Sequence, residues 1–487
     1  MSKTTIIYKD IAPGAEEDAQ ITAQGADGMS DIGSLVSGVE PEPAITLELN
    51  NWLLDGTYKL AESQPIAFWS EGLSGGEGAF ASYPVITVDF DRQYSSVGLT
   101  IAFDRASGSY CNSVNIKWFQ GETLKSDKDF VPDGAVYFFQ NQVESYDKIV
   151  ITLKSTNLPY HRAKLEQIIF GVLRTFDMSE IRSASIVNET SLIGTELPVS
   201  TMNWTLDSRS DVDFMFQLKQ PVEVRNDGNL IGVYYIDGYA RKAKALYDIE
   251  CYDALGVLDE TPFPGGAYLE GISAKVLLSE IAGGDFPVYY APGLADVNLK
   301  GVLMPSSKRE AAQQVMFAWG ACISTDGRDG LYVFSLPDTA AIIPEDRTYT
   351  GVTVDTSAIV TKVSVTAHTY TQDENGSIEI NGVKYADNPE VYSVSNPNVT
   401  ATDKQNVVEV TNGTLVSADI GQATAQRIYD YYLKRNTNKA KIVWTGERLG
   451  DYVTIPNAWE GQNTGHLARM EIRLSNTVAA TCETIGV

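Results

Sequence analysis

The sequence predicts a mainly β protein with a few helices, in which an N-terminal jelly-roll sandwich precedes β-barrel domains that helices link. Two observations predict this fold class. The chain has 25 Tyr against 16 Phe, and Tyr together with β-branched residues suits the half-buried faces of strands. Short alternating or apolar runs also recur along most of the 487 residues, separated by Gly, Ser, Asp and Asn. A chain of this length is expected to form about two to four domains.

The charge balance limits the partners that the chain can hold. It has 37 Lys and Arg against 63 Asp and Glu, a net charge of −26. Binding to nucleic-acid phosphates or to anionic lipid needs Lys and Arg, so neither sequence-specific nucleic-acid binding nor tight lipid binding is expected. The acidic surplus either serves solubility alone or lets a polyanion such as DNA slide past a surface without sticking.

Neither a signal peptide nor a membrane segment is predicted. The opening MSKTTIIYKDIAPGAEEDAQ lacks a basic region followed by an apolar run. No stretch approaches the ~18 apolar residues of a membrane helix, so direct membrane insertion is not expected. The cysteines, which share an apolar or strand-like context, are Cys111, Cys251, Cys322 and Cys482. We expect buried free thiols and synthesis in a reducing cytoplasm.

The first third of the chain is predicted to contain an arm and a sandwich. Residues 1–49 are rich in Gly, Ala, Asp and Glu and are expected to form an extended arm with short strands, unless they are simply disordered. Residues 50–176 are expected to form the jelly roll. Its strands are predicted from YPVITVDFDR, SSVGLTIAFDR, NSVNIKWFQ, AVYFFQN and DKIVITLKS, with a last strand over 165–172.

Residues 177–262 are predicted to form the first β-barrel. Its second half, VEVRNDGNLIGVYYIDGYARKAKALYDIECYDALGVLDE, has the pattern of a β-meander that stops alternating near its end. The Asn-Asp-Gly-Asn turn at 226–229 is a strong hairpin signal, and the polar stretch 239–244 is expected to make the next bend.

Helices are predicted after the meander. Residues 263–350 are expected to form a connector with two helices and a hairpin. GISAKVLLSEIAGG ends at a Gly pair, and SSKREAAQQVMFAWG begins at Ser306 or Ser307 as its cap. Residues 351–487 are expected to form the second β-barrel, with a helix that Ser417 caps and with C-terminal strands.

The sequence contains no catalytic signature. It has three histidines, far apart, and no GxSxG, HExxH or P-loop motif, so we predict no enzyme activity, no cofactor and no metal. The glycine-rich GLSGGEG at 72–78 is expected to be a loop. The acidic turns 89–92 and 325–330 could offer oxygen ligands to calcium, but ordinary turn chemistry also explains them.

Aromatic residues near loops of the predicted jelly roll form a candidate glycan site. Sugars are held by aromatic faces together with a few polar groups. The alternative is that these residues pack the core and rim of the jelly roll. The candidates are Trp69, beside the glycine-rich loop, Tyr110, and the turn residues Tyr160, His161 and Arg162.

Four stretches, in the order of the predicted elements, carry a resemblance to a known class of protein. They are IGVYYIDGYAR, YDIECYDALGVL, AAQQVMFAWGACISTDGRDGLYVF and AQRIYDYYLKRNTNKAKIVWTGERLGDYVTIPN. Over about residues 177–487 the chain resembles the tail hub proteins of bacteriophages, which include the baseplate hub of contractile tails and the N-terminal part of tail-associated proteins in siphophages. Residues 50–176 depart from the plain hub. Through SSVGLTIAFD, VNIKWFQ and KLEQIIFG they are similar to a galactose-binding-like, or discoidin-like, jelly roll.

The resemblance implies a structural role. In hubs of this class a chain passes from a small β-barrel through helices into a second β-barrel, and ends with a strand that helps to complete it. A homotrimeric ring at the baseplate or tail tip of a virion is implied, made in the cytoplasm of a bacterial host. Its implied partners are the tail tube and distal tail proteins, a spike or tip protein and the tape measure protein, and DNA or effectors would pass through the ring.

Two other functions stay open. One is a secreted protein, built from β-sandwiches, that binds or cleaves glycans. The other is a receptor-binding tail protein that holds a host glycan through the jelly roll at 50–176.

Overall fold

The computed structural model describes residues 4–11, 14–40, 42, 44, 46–49, 55, 65–208, 216–349, 351–400, 404–457, 461–475 and 478–486. Within them the protein is mainly β with a few helices, as the sequence predicts. The chain divides into two compact units. We call Tyr8–Arg174 the N-terminal unit, and Met1–Ile7 together with Thr175–Val487 the C-terminal unit. The start of the predicted jelly roll, 50–64, lies almost wholly outside the described residues.

The first strands cover the predicted arm and jelly roll. They are β1 (Thr4–Ile11), β2 (Gln20–Gln24), β3 (Phe68–Trp69), β4 (Val85–Phe103), β5 (Cys111–Gln120), β6 (Thr123–Phe130), β7 (Val136–Thr156), β8 (Lys164–Ile169) and β9 (Gly171–Asp177), with the short helix α1 (Ala15–Asp18). The division between the units falls within β1 and β9. The described part of the predicted arm after β1 is folded into the N-terminal unit, since β2 pairs with β4 and both Ala15 and Leu35 are fully buried.

Two long strands, β4 and β7, run through both halves of the N-terminal unit. The half of β4 at 85–89 lies between β2 and the second half of β7, whereas the half at 100–103 lies between the first half of β7 and β8. β5 and β6 extend the sheet on the side of residues 85–89 of β4. β3 extends it, through β8, on the side of residues 100–103. Register shifts between Asp89 and Gly98 interrupt the β4–β7 ladder, which lets a strand bend from one layer into another.

The predicted strands of this unit are joined in the structure. YPVITVDFDR and SSVGLTIAFDR both belong to β4, and AVYFFQN and DKIVITLKS both belong to β7. The polar residues between the runs have the composition of a turn, but a bulge lets the strand continue while the hydrophobic alternation breaks. One core holds side chains from both halves of the unit, and the rings of Phe90 and Phe170 lie 5.1 Å apart between centroids. The assignment to a galactose-binding-like jelly roll stays a prediction.

The C-terminal unit carries the remaining elements. Its strands are β10 (Ile181–Glu189), β11 (Thr201–Asp207), β12 (Pro221–Asn226), β13 (Asn229–Ala243), β14 (Leu246–Tyr252), β15 (Pro262–Phe263), β16 (Gly266–Ser273), β17 (Val288–Tyr290), β18 (Asn298–Leu303), β19 (Ser306–Ser307), β20 (Cys322–Ser324), β21 (Leu331–Phe334), β22 (Ala341–Ile342), β23 (Thr353–Thr356), β24 (Lys362–Ala367), β25 (Tyr370–Gln372), β26 (Ile378–Ile380), β27 (Val383–Asp387), β28 (Glu390–Ser395), β29 (Val407–Val410), β30 (Asn436–Val443), β31 (Tyr452–Asn457), β32 (Gly461–Leu474) and β33 (Ala479–Gly486). Its helices are α2 (Ala254–Glu260), α3 (Ala274–Ala282), α4 (Lys308–Trp319) and α5 (Ala418–Leu433).

Thirteen strands, of which β1 and β9 straddle the division, form one sheet. Its main path runs β23–β30–β33–β32–β10–β11–β14–β13–β12–β1–β9, and β31, which also pairs with β22, joins through β32. The central link is the antiparallel pair of β10 and β32, in which Ile186 faces Ile472. Strands from both predicted barrel segments, 177–262 and 351–487, therefore share one sheet. The boundaries of the five predicted domains stay predictions.

The helices of the C-terminal unit pack in a core beside this sheet. Leu277 and Ile281 of α3, Met316 of α4 and Ile428 of α5 are fully buried in one hydrophobic cluster. One of the smaller sheets packs against α5, through β24 and β28, and in that sheet β24 lies between β28 and β29. The amphipathic spacing of these helices in the sequence predicts this burial.

The helix starts agree with the predicted caps in position. Ser307 begins α4 with a capping box: its Oγ accepts a hydrogen bond from Glu310 N (3.1 Å), and Glu310 Oε2 accepts one from Ser307 N (3.3 Å). Ser417 precedes α5, but its side chain makes no capping hydrogen bond.

Candidate functional site

Three loops of the N-terminal unit meet: 72–78, 104–110 and 156–162. Asn157 joins the second to the third, because its Oδ1 accepts a hydrogen bond from Tyr110 N (2.9 Å) and its N donates to Tyr110 O (2.9 Å). Four predicted glycan-site residues lie in these loops, and the fifth, Trp69, lies in β3 just before the first. The fold thus brings together segments that are distant in the sequence.

The glycine-rich segment 72–78 is a loop, as predicted, and it is held against the end of β7. Thr156 N donates to Gly78 O (2.8 Å), and Thr156 Oγ1 donates to Ser74 Oγ (2.7 Å). Gly78 has a φ of +83°, and a Cβ atom there would lie 2.3 Å from Thr156 O. The close approach of the two backbones therefore requires glycine at this position.

Tyr160 is the most exposed of the five candidates. Half of its surface is accessible (50%), and its hydroxyl lies over the glycine-rich loop, where a Cβ atom at Gly76 would be 2.8 Å from it. His161 is buried, and its Nδ1 lies 2.7 Å from Pro159 O. Tyr160 therefore offers an aromatic surface to solvent, whereas His161 stabilises the turn.

The side chains of Trp69 and Arg162 contact other residues of the protein. Trp69 is 5% exposed, and the ammonium of Lys164 lies 5.6 Å from its ring centroid. Arg162 Nη1 is 2.9 Å from Asp27 Oδ2 and also donates to Glu71 O (3.0 Å). A buried ring and a paired guanidinium hold the loops in place. The glycan site stays a prediction; Tyr160 is its most accessible residue, and Tyr110 is partly buried against the core.

A buried ion triad lies beside these loops. Lys164, the first residue of β8, has its Nζ 2.7 Å from Asp104 Oδ2 and 3.2 Å from Glu48 Oε1. Asp104 and Glu48 are fully buried, and Lys164 is 6% exposed. Sequence reasoning missed the triad because its members come from three distant segments, and because single Lys and Asp residues are normally solvated.

A second buried polar cluster lies in the C-terminal unit, around Asp253 and Asp326. Asp253 caps α2 and accepts a hydrogen bond from Thr325 Oγ1 (2.7 Å). Asp326 Oδ2 accepts one from Leu449 N (3.0 Å), and Arg448 Nη1 donates to Asp326 O (2.7 Å). Burial raises the pKa of each carboxyl from 3.8 to about 6, because the protein excludes the water that would solvate the charge.

The acidic turns that could have offered ligands to calcium have other partners. Asp89 lies in β4 and pairs with Lys148 (2.9 Å), and the turn 325–330 supplies Thr325 and Asp326 to the buried cluster. In the part of the chain that the structure describes, no group of three or more His, Cys, Asp and Glu side chains is placed to hold a metal ion. That the chain uses no metal stays a prediction.

The four cysteines are free and buried, as predicted. Burial raises the pKa of Cys251, Cys322 and Cys482 to about 12, so these thiols stay protonated and unreactive at neutral pH.

His368 has both ring nitrogens engaged, since Nδ1 lies 2.7 Å from Asp387 Oδ2 and Nε2 lies 3.2 Å from Thr411 O.

A polar cleft of about 720 Å³ lies on the exposed face of the thirteen-stranded sheet. Ser185 of β10, Asn203 of β11 and Glu250 of β14 lie side by side there, with Arg473 of β32 next to Ser185. Small-molecule sites are mostly apolar, so this face has the character of a solvated surface.

Among the described helices, none combines the length and the apolar character needed to cross a membrane.

No protein-family model matches the sequence, and no curated protein matches it. Solved structures with similarity to the chain include three tail proteins, each of which aligns with 64% of this chain. The 43 kDa tail protein of prophage MuSo2 from Shewanella oneidensis is 95% covered, at 10% identity and a TM-score of 0.43. A tail protein from Neisseria meningitidis MC58 is 93% covered, at 12% identity and a TM-score of 0.44. Prophage tail protein gp18 from Listeria monocytogenes EGD-e is 91% covered, at 11% identity and a TM-score of 0.42. Likeness of this degree does not establish a function.

Proposed function

We propose that the chain is a structural subunit of a phage-type tail, in which copies form a hub ring at the baseplate or tail tip. The ring would join the tail tube to a spike or tip and let DNA or effectors pass. The observation that carries the proposal is the pairing of β10 with β32, because it joins the predicted barrel segments 177–262 and 351–487 in one sheet beside the helices. The order of these elements along the chain, from the first predicted β-barrel through helices to the second, is the order that the sequence shares with tail hubs.

The C-terminal strand supports the same proposal. β33 lies between β30 and β32, so the end of the described chain completes the sheet, as the resemblance to hubs implies. β30 pairs antiparallel with β33 along its whole length, so the ladder between these two strands is unbroken. The sheet is thereby continuous up to its edge strand, β23.

The edge strand β23 offers a surface for ring formation. All four of its residues are exposed, and within the described residues no strand pairs with its outer edge. Its sequence, Thr-Val-Asp-Thr, has no Lys or Pro, and Asp355 is the one charged side chain that protects this edge from pairing. We propose that a neighbouring subunit covers this edge in the ring, since closed symmetry removes exposed edges.

Native mass spectrometry of the full-length protein at micromolar concentration tests the ring. We expect a closed trimer, and we expect Val354→Lys on β23 to lower the trimer fraction by placing a charge on the edge. The matched control is Leu124→Lys on β6, an exposed edge position beside Lys125, which should leave the assembly unchanged. A stable monomer at all concentrations would favour the second candidate below.

The second candidate is a glycan-binding or receptor-binding tail protein that acts through the N-terminal unit. The exposed ring of Tyr160 beside the loop of Tyr110 is the observation that favours it. Glycan-array binding by the full-length protein, lost in Tyr160→Ala and kept in Tyr83→Ala, would support this candidate. Tyr83 is the control because its exposed fraction, 51%, matches the 50% of Tyr160. A hub with an adhesive domain would also bind, so the two functions are compatible.

A further inference from the structure

The buried triad of Glu48, Asp104 and Lys164 joins neighbouring strands of the N-terminal unit. Asp104 directly follows β4 and Lys164 begins β8, and these strands are antiparallel neighbours, with Phe103 facing Leu165. The Nζ atom of Lys164 lies 2.7 Å from Asp104 Oδ2 and 3.2 Å from Glu48 Oε1. An amine is thus held against one carboxyl group, with a second carboxyl group on the same nitrogen.

The surroundings of the triad differ from those of an ordinary ion pair. Glu48 and Asp104 are fully buried, Lys164 is 6% exposed, and the ring of Trp69 covers the ammonium. By contrast, the Lys148–Asp89 pair of the same unit has a similar distance, 2.9 Å, but side chains that are 39% and 45% exposed. Keeping one ammonium and two carboxylates away from water is costly, and a neutral link between two of them would remove much of that cost.

We propose that Lys164 and Asp104 are joined by an intramolecular isopeptide bond that the folded protein forms without a cofactor. Nζ of Lys164 attacks Cγ of Asp104, the C–Oδ2 bond breaks, and an amide replaces the ion pair. The ammonium gives up two protons and the carboxylate gives up one oxygen, which leave together as one water molecule. No electron is transferred, and no other reactant is consumed.

Glu48 is placed to move the protons. Its Oε1 accepts a hydrogen bond from Arg162 N (2.9 Å), which fixes the carboxylate beside Nζ. From there it can take a proton from the attacking nitrogen and pass it to the departing oxygen, as a general base and then a general acid. Burial raises the pKa of Asp104, but the Lys164 ammonium and the hydrogen bonds from Ser107 outweigh burial and lower it. The resting Asp104 is therefore a carboxylate, and proton transfer must precede attack.

Ser107 is placed to stabilise the intermediate. Its backbone N donates to Asp104 Oδ1 (3.0 Å), the oxygen that would carry negative charge after attack, and its hydroxyl donates to Oδ2, the oxygen that would leave. A fixed N–H donor on a developing oxyanion is a strong source of rate enhancement. Because the strands hold the reacting groups together, the reaction also avoids the entropy cost of bringing them into contact.

The mass of the intact, purified protein tests the proposal. We expect it to be lower than the mass of the sequence by one water. Trypsin should yield a branched peptide that joins Gln93–Arg105 to Ala163–Arg174, because modified Lys164 is no longer a cleavage site. No branched peptide should join Lys148 to Asp89, whose similar distance makes this exposed pair the matched control.

Three variants separate the bond from other losses of water. Lys164→Arg and Asp104→Ala each remove one of the two reacting groups, and each should restore the full mass expected for its sequence. Glu48→Gln should do the same, or leave a mixture that reacts slowly, if Glu48 moves the protons. A deficit that persists in Lys164→Arg would come from an Asp-Gly succinimide elsewhere and would overturn the proposal. So would a wild-type mass equal to that of the sequence, which would make the triad an ion cluster only. The wild-type measurement decides even if a variant fails to fold.

Discussion

At the scale of single residues, the two buried carboxyls of the C-terminal unit couple stability to pH. Asp253 and Asp326 each have a pKa near 6 in the folded protein against a usual value of 3.8. Between these values the unfolded carboxyl has lost its proton while the folded one keeps it, so stability falls as pH rises. Below about pH 4 both states are protonated and this destabilisation vanishes; above about pH 6 it is complete.

Asp253→Asn should flatten this part of the pH profile. The amide cannot ionise but can still accept the hydrogen bond that caps α2. We expect urea unfolding at pH 4.5 and 7 to show a loss of stability in the wild type that is smaller in the variant, by about 2 kcal/mol. Comparing the two proteins cancels the carboxylates with lowered pKa values, whose effect has the opposite sign. Identical profiles would show that Asp253 titrates normally.

Gly78→Ala should destabilise the N-terminal unit by about 2–4 kcal/mol, because the new Cβ atom would meet Thr156 O in a left-handed backbone conformation. Gly108 is the matched control: it has a φ of +67°, but nothing lies within 4 Å of its Cβ position. Gly108→Ala should therefore cost only about 1 kcal/mol. Chemical denaturation of both variants measures the difference, and equal losses would mean that the loop moves away from β7.

The candidate residues could be found only in part from the sequence. Tyr160 is exposed at a loop, as a binding aromatic should be, but the sequence did not reveal that Trp69 is buried with its ring over Lys164. Both lie beside glycine and polar residues, and the local patterns do not distinguish the two environments. Lys164 and Asp104 were missed because their contact depends on the register between β4 and β8.

At the scale of elements, the capping box of α4 gives a direct comparison. Ser307→Ala removes the acceptor for Glu310 N and should cost about 1 kcal/mol. Ser417→Ala at the start of α5 should cost less than about 0.5 kcal/mol, since that side chain makes no capping hydrogen bond. Urea midpoints of the two variants measure this contrast. Equal costs would mean that the capping hydrogen bond of Ser307 adds no measurable stability.

The elements best predicted from the sequence are those with local signals. The turn at 226–229 joins β12 to β13, with Asp227 and Gly228 at positive φ, as its Asn-Asp-Gly-Asn sequence requires. The next bend falls at the end of the predicted stretch 239–244, because β13 continues to Ala243. The short helix α2 was missed although Asp253 marks its start, since seven mostly buried residues show no helical alternation.

At the scale of the whole molecule, two compact units with separate cores should unfold separately. We expect two transitions in scanning calorimetry. Gly78→Ala should lower the midpoint of one, and Ser307→Ala should lower that of the other. If each variant shifted both midpoints equally, the units would unfold as one.

Mainly β character was predictable from composition and short runs, but the pairing of β10 with β32 was not, since neither strand's own sequence indicates its partner.

The pairing of β10 with β32 can form only late in the synthesis of the chain. Glu189 of β10 and Arg469 of β32 are paired although 280 residues separate them. During translation β10 leaves the ribosome long before its neighbour exists, with one of its edges unpaired and prone to wrong partners. A prematurely terminated product could never cover it. Chaperones and proteases would therefore recognise incomplete chains by this open edge.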